Sequence, residues 1–274
     1  MEKQPKYKIY PSLLDSFQNY LDSDLIWQKY WGGSENPPHT PDEFRGVQFQ
    51  SVIDKINRVP MKWEDSEKAD KGTAFNEVID CIIHHSTSDR ISVERVYKIV
   101  GWGDVSGDAE DRFADVEQTD ELTGLNVKFN NREFYFPIEI CRYMASLYPK
   151  ALSQVMTEGI ITTAYGDVLL YGYIDELMPQ SVHDIKTTGR YSFGNFKRHS
   201  QHLVYPYCLI KSGVFIHRFE YNITDFKEHY SEVYVFDEGR DIPILRSKCE
   251  RLIEFVEENK NLITDKKIFG GEKE

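Results

Sequence analysis

The chain has 274 residues, 40% of them hydrophobic, with 17 Tyr and 16 Phe, enough to bury one sizeable core and too apolar for intrinsic disorder. Its formal net charge of −12 excludes a uniformly basic polyanion-binding surface, so any contact with nucleic acid has to be local. No apolar run approaches the roughly 20 residues of a membrane span, and MEKQPKYKIYPSLLDSF lacks the apolar stretch of a secretory signal; a cytoplasmic protein with no membrane partner is expected.

In chain order, Pro11-Ser12-Leu13-Leu14-Asp15 reads as a helix start, with Ser12 as cap and Asp15 at the positive end, and the helix continues through Phe17, Tyr20 and Leu21. Gly32 to Pro41 is a loop by its Gly and Pro content, and a helical stretch follows from Phe49 to Ile56. Phe75, Val78, Ile79, Ile82 and Ile83 recur at helical spacing, with Thr73 as N-cap. Asp104 to Glu121 is acid-rich without the Asp-x-Asp-x-Asp-Gly order of a calcium loop, and reads as a solvated loop or insertion. Another helix is expected from Ile138 to Tyr148.

From Gln154 the pattern changes to strands: VMTEGIITTAYG, DVLLYGYIDELM and SVHDIKTT are rich in Val, Ile, Thr and Tyr. GNFKRHSQHLVYPYCLIKSG reads as a helix that Pro206 kinks or splits. FIHRFEYNI and EVYVF are two further strands, and ILRSKCERLIEFVEENKNLI is an amphipathic helix. The fold class expected is α/β, a mixed central sheet with helices on its faces and added helices at both ends. One domain, 1–274, is expected, with an acidic insertion at about 101–135. Cys81, Cys141, Cys208 and Cys249 are far apart in sequence and form no C-x-x-C pair, which argues against a zinc or iron–sulfur cluster.

Charge interrupts the apolar strands at Asp175, Asp184 and Lys186. Residues two apart in a strand share a face, so Asp184 and Lys186 stand together, about 7 Å apart along the strand, while Ile185 anchors the opposite face. Antiparallel pairing across the Met178–Ser181 turn brings Asp175 beside Asp184. Two adjacent carboxylates repel unless a cation lies between them, and Mg2+ or Mn2+ suits oxygen donors, with the Ile185 carbonyl as a further ligand. Such a metal activates a water and neutralises phosphate charge, and Lys186 orients that water. For an isolated D-x-K, a cross-strand salt bridge on the solvent face is the better explanation, so the pattern alone is a weak signal.

The surrounding motifs resemble the PD-(D/E)XK nuclease superfamily, in its RecB-like, phage-type exonuclease branch. They are Gly172-Tyr173-Ile174-Asp175, Asp184-Ile185-Lys186, Gln201-x-x-x-Tyr205, Gly72-Thr73-Ala74-Phe75-Asn76, and Pro11-Ser12-x-Leu14. The resemblance implies a restriction-endonuclease-like core and metal-dependent hydrolysis of DNA, with exonuclease action in recombination, repair or phage DNA processing. Asp175 and Asp184 are then metal ligands, Lys186 assists catalysis, and Gln201 and Tyr205 face the nucleotide. A homo-oligomer and a single-strand-annealing or recombination partner are compatible with it. The sequence departs from the family where the helix motif usually ends in His: here it is Asn76, followed by Glu77, with Asp80 one turn on. Glu77 is the expected substitute ligand and catalytic carboxylate, and Asn76 an expected nucleic-acid contact. The family's frequent iron–sulfur cysteines are missing.

Between Ser181 and His202, Lys186, Arg190, Lys197 and Arg198 outnumber the single acid Asp184, with Tyr191, Phe193 and Phe196 interleaved. That composition suits a nucleic-acid strand, so Arg190, Lys197 and Arg198 join Gln201 and Tyr205 as expected DNA contacts. His183, His199 and His202 read as surface or substrate-facing, and Glu158 as solvent-facing. The competing readings are a catalytically inactive nuclease-fold module that binds nucleic acid or protein, and an unrelated hydrolase of small phosphoesters.

Overall fold

A computed structural model describes residues 4–101 and 116–270. The elements in chain order are β1 (Tyr7–Ile9), α1 (Pro11–Leu21), α2 (Ser23–Trp31), α3 (Pro41–Ile56), α4 (Glu67–Ile83), β2 (Ser92–Gly101), β3 (Val116–Phe129), β4 (Arg132–Pro137), α5 (Ile138–Ser146), β5 (Leu152–Thr163), β6 (Gly166–Met178), β7 (Ser181–Thr187), α6 (Gln201–Lys211), β8 (Arg218–Thr224), β9 (His229–Val235) and α7 (Glu238–Glu258). The class is α/β: a mixed sheet flanked by helices. Among the described residues no helix is long and apolar enough to cross a membrane.

Several boundaries differ from the sequence reading. Pro11 sits in the first turn of α1, where its missing N–H is not needed, and Ser12 does not cap. Helix α3 begins earlier than expected because Thr40 and Glu43 form a reciprocal capping box. Helix α4 also begins earlier, which puts Thr73 inside it. Helix α2 buries only Ser23, so no apolar stripe marks it in the sequence. Helix α6 runs unbroken past Pro206, where the expectation was a kink or split. The three-stranded sheet β2-β3-β4 was not foreseen. It draws on the stretch read as an acidic insertion, yet Val127 and Phe136 within it are fully buried. The part of that stretch from 102 to 115 lies outside the described residues.

The large sheet runs β1-β6-β7-β8-β9, with β5 on the other side of β6. Helices α1, α3, α6 and α7 cover one face, where Leu14, Val52, Val204 and Leu252 meet Leu170, Ile174 and Tyr221. Helices α4 and α5 and the small sheet cover the opposite face of β7, where Ile185 joins Phe75, Phe136 and Met144. Along the edge of β6 away from β5, β1 pairs in parallel with Val168–Leu170 and β7 pairs antiparallel with Glu176–Met178. Among the described residues, Tyr171–Asp175 have no strand partner on that side. The sheet forks there.

Glycines set how closely the helices approach the fork. A Cβ on Gly159 would lie 3.1 Å from the Cys208 Cα in α6, and one on Gly172 would lie 2.7 Å from Tyr205 Cε1. On the other face, a Cβ on Gly72 of α4 would come within 3.3 Å of Thr187 Oγ1 at the end of β7. Gly159→Val is therefore expected to push α6 outward and cost about 1–3 kcal/mol, read as a lower urea midpoint. Gly33→Val, with nothing within 4 Å of the new Cβ, is expected to change stability by less than about 0.5 kcal/mol.

Candidate active site

Because the β6–β7 ladder stops at Glu176–His183, Asp175 and Asp184 do not form the expected ladder pair. Instead, the Asp175 side chain reaches across the fork, and its Oδ2 accepts the Ile185 backbone N–H at 3.0 Å. Ile185 thus enters the site through its amide, while its side chain is buried in the core beneath. Strand alternation places Asp184 and Lys186 on one face, as the sequence implied, and Lys186 Nζ lies 2.6 Å from Asp184 Oδ2.

Each neighbouring helix supplies a donor. Gln201, first residue of α6, donates from Nε2 to Asp184 Oδ1. Asn76 on α4 donates from Nδ2 to Asp175 Oδ2 at 3.3 Å. The start of α6 is itself held by α1: Asp15 accepts the Ser200 N–H at 2.7 Å and sits 3.4 Å from His199 Nδ1. Tyr205, one turn beyond Gln201, is buried over Gly172. Burial, then the Asp184 charge, drives its hydroxyl pKa up, so it stays a neutral phenol.

Electrostatics mark the fork as short of positive charge. Burial and the Asp184 charge push Asp175 up to about 7, against the opposing pull of Lys186. Burial works against the Lys186 ammonium, but Asp184 and Asp175 outweigh it and hold its pKa above the ordinary value. Among the described residues, Asp184 Oδ2 has no hydrogen-bond partner apart from that ion pair, and the buried Asn76 Oδ1 has none at all. No group of three His, Cys, Asp or Glu side chains among the described residues converges as a metal cage.

The helix residues sort differently from expectation. Residues four apart on a helix share a face, so Asn76 and Asp80 look toward β6 together. Glu77 is turned away, accepting from Ser88 Oγ at 2.5 Å and pairing with Arg90 at 2.7 Å. It does not reach Asp175 or Asp184, so its expected role as ligand is not met by this geometry. Arg190 is exposed on the loop after β7, and Lys197 and Arg198 line a separate cavity. Glu158 is exposed, as expected. His183 is buried on the back face, where Asn222 Nδ2 lies 3.0 Å from its Nδ1, rather than facing solvent or substrate.

The sequence reading missed three features. Glu176, adjacent to Asp175, is fully buried against Asp80, and Ser153 Oγ donates to it at 2.8 Å. Burial and Asp80 push it up to about 9. Glu176 Oε1 and Asp80 Oδ1 are both buried without a donor, and one proton held between the two carboxyls satisfies both. Asp15 is the second missed residue; its carboxylate would have stood out only as a buried acid. The third is a cleft beside the fork, about 530 Å³, lined by Ser12, Lys55, Arg58, Tyr173, Gln201 and Tyr205 among others, which adjoins the carboxylates through Gln201. Lys55 and Arg58 come from the end of α3, far from the basic loop in sequence.

No protein-family model matches the chain, and no curated protein does. Among solved structures, a chain described as "Crystal structure of SSO0001" aligns at 13% identity over 42% of this chain and 57% of that one, less than two thirds of its length, with a TM-score of 0.31.

The Glu176 proton has a measurable consequence. Its folded pKa of about 9 lies above the ordinary 4.5, so between those values the folded state holds a proton that the unfolded chain has released. Stability from this residue is complete below about pH 4.5 and declines as pH rises toward about 9. Glu176→Gln, which keeps the neutral shape, is expected to match the wild-type Tm near pH 4 and to exceed it increasingly up to pH 9, measured by thermal melts across that range.

Proposed function

We propose that the chain is a divalent-metal-dependent nuclease with a restriction-endonuclease-like, PD-(D/E)XK core, acting on DNA phosphodiesters. The observation that carries this reading is the fork itself: two carboxylates from diverging strands, Asp175 and Asp184, with Lys186 paired to Asp184, beside a cleft that shares Gln201 with the site and is lined by Lys55 and Arg58.

The donor set fits Mg2+ or Mn2+. Asp175, Asp184 and the partnerless Asn76 amide oxygen are the residues that would hold it, and magnesium usually takes only one or two carboxylates and keeps several waters. When bound, the ion lowers the pKa of a water and offsets charge on the phosphate. The chain's own groups do the rest. Lys186, about a quarter exposed, keeps its proton and supplies a fixed positive charge at the reacting phosphate. Gln201 orients Asp184, and the Ile185 N–H orients Asp175. Lys55, with no carboxylate within 4.0 Å among the described residues, supplies positive charge at the cleft wall beside Arg58, which pairs with Asp265 at 3.7 Å, although the whole chain carries −12. Exonucleolytic action, with a recombination, repair or phage role, comes from the sequence resemblance and is tested by substrate topology.

A second reading, an inactive binding module on the same core, has one observation in its favour. Lys186 already neutralises Asp184, and the Asn76 amide presents its N–H side, not its oxygen, to Asp175. Incubation of linear and circular DNA with Mg2+ or Mn2+, with and without a chelator, decides between the two. Metal-dependent loss of linear DNA, with circular DNA spared, supports the exonuclease; intact DNA in every lane removes it. Lys186→Ala is expected to lower cleavage by on the order of 10² to 10³ while the protein stays folded. Full cleavage by that variant would end the assignment.

Metal binding should also carry a pH signature. Asp175 must lose its proton to act as a ligand, and in the free protein it does so only at about pH 7. The apparent affinity for Mn2+ is therefore expected to fall about tenfold for each pH unit below 7 and to level off above it, with proton release on binding. Calorimetry in buffers of different ionisation enthalpy reads both, and a flat affinity from pH 5 to 8 refutes the assignment of Asp175 as a ligand.

A further inference from the structure

Two more cavities follow the fork cleft along α1. One, about 580 Å³, touches Asp15 and Asn19; the other, also about 580 Å³, touches Gln18 and Asp22 at the end of the helix. They share Arg198 and His199. Asp15 links this run to the fork, since its charge acts on Lys186 and its carboxylate accepts from Ser200 next to Gln201.

The cavity at the far end is unlike the rest of an acidic protein. Four cations line it: Lys197, Arg198, Arg240 and Lys248. Arg198 pairs with Asp22, and Arg240 pairs with Asp241 at 2.7 Å. Lys197 and Lys248 have no carboxylate within 4.0 Å among the described residues. Lys248 is half-buried, and that burial holds its pKa below the ordinary value despite the charges of Asp15 and Asp22. A partly desolvated ammonium without a counter-ion is costly, and an anion in the cavity removes that cost. The lining also includes the apolar Leu203, Val233 and Ile244, and Tyr234 lies stacked on His202 at 4.4 Å. Burial pushes His202 down to about 4, so it adds a flat neutral ring and no charge. Free cations beside an aromatic and aliphatic wall match a phosphate joined to a nucleoside, because each half meets its own kind of surface.

We propose that this cavity binds a phosphate of a polynucleotide strand at a second point, away from the phosphate at the Asp175–Asp184 fork, with Lys197 and Lys248 as its counter-ions. The identity of the ligand rests on the nuclease reading; the counter-ion role of the two lysines does not. Arg198 and His199, at the boundary of the two α1 cavities, lie on the path between the two points.

The test is fluorescence anisotropy with a fluorescein-labelled oligothymidylate of about 20 nucleotides, in chelator so that nothing is cut. Wild type, Lys197→Gln/Lys248→Gln and a charge-matched control, Lys68→Gln/Lys267→Gln, are titrated at several salt concentrations between about 50 and 200 mM. Lys68 and Lys267 are exposed and line neither cavity. The K197Q/K248Q variant is expected to bind about tenfold more weakly at low salt, with a salt slope shallower by about 1, while the control keeps the wild-type slope. Equal affinity and slope in wild type and variant overturn the proposal, as do an equal loss in the control and an absence of any wild-type binding. Should K197Q/K248Q melt early, the exposed Lys197→Gln alone is expected to give about half the change in slope. The two readings separate cleanly. A wild type that cuts DNA with a K197Q/K248Q variant that binds normally removes the second phosphate point and leaves the nuclease. A wild type that cuts nothing, with binding lost in the variant, does the reverse.

Discussion

Two carboxylates brought together at the mouth of a sheet are the constraint around which the rest of this molecule is arranged. The mutual repulsion of neighbouring carboxylates adds to the several kcal/mol that desolvating each of them costs, more than the ~1.5–3 kcal/mol of one hydrogen bond to an ion. No single donor can offset that. The structure gathers several: the Ile185 amide and the Asn76 side chain on Asp175, and Gln201 and Lys186 on Asp184. They come from β7, α4 and α6, so three elements must dock correctly for the pair to be tolerated. Even then Asp175 is held up near pH 7, which leaves the fork able to accept one more positive charge.

That demand explains where the glycines fall. A helix can deliver a short side chain such as Asn76 or Gln201 to a strand only if its backbone comes close. Gly72 allows this for α4, and Gly159 and Gly172 allow it for α6. The fork follows from the same economy of contacts. On this edge of β6, β1 pairs only with Val168–Leu170 and β7 only with Glu176–Met178, so among the described residues Tyr171–Asp175 is free of ladder bonds on that side, and Tyr171 and Tyr173 line the cleft. The carboxylate of Asp175 replaces the ladder bond that the Ile185 amide would otherwise make.

What the sequence revealed and what it hid divide along physical lines. The period-two pattern of β7 placed Asp184 and Lys186 on one face and Ile185 in the core, because strand alternation is local and strict. Strands β5 to β9 were legible for the same reason, whereas β1, only three residues long, was too short to carry a pattern. The small sheet was not, because β2 and β3 expose many of their residues and carry charges that mimic a loop. Glu77 was chosen over Asn76 and Asp80 on ligand chemistry alone. The helical phase, set by which residues of α4 are buried, turns Glu77 to Arg90 and the other two toward β6. Glu176 had no signal of its own: nothing in a sequence distinguishes a carboxylate that ionises from one that burial keeps protonated.

The acidic total also reads differently once the chain is folded. The cations of the fork and of its neighbouring cavities are drawn from α2, the end of α3, β7, the loop before α6 and α7, and in sequence only Lys186 and the loop cluster were visible. Several are committed to acids already, as Arg198 is to Asp22 and Arg240 to Asp241. These pairs hold the guanidinium groups in place without leaving them free, and Lys186 is paired to Asp184 in the same way, whereas Lys197 and Lys248 have no carboxylate within 4.0 Å among the described residues. Charge that counts for binding is charge left over after internal pairing, so a net of −12 and a locally positive groove are compatible.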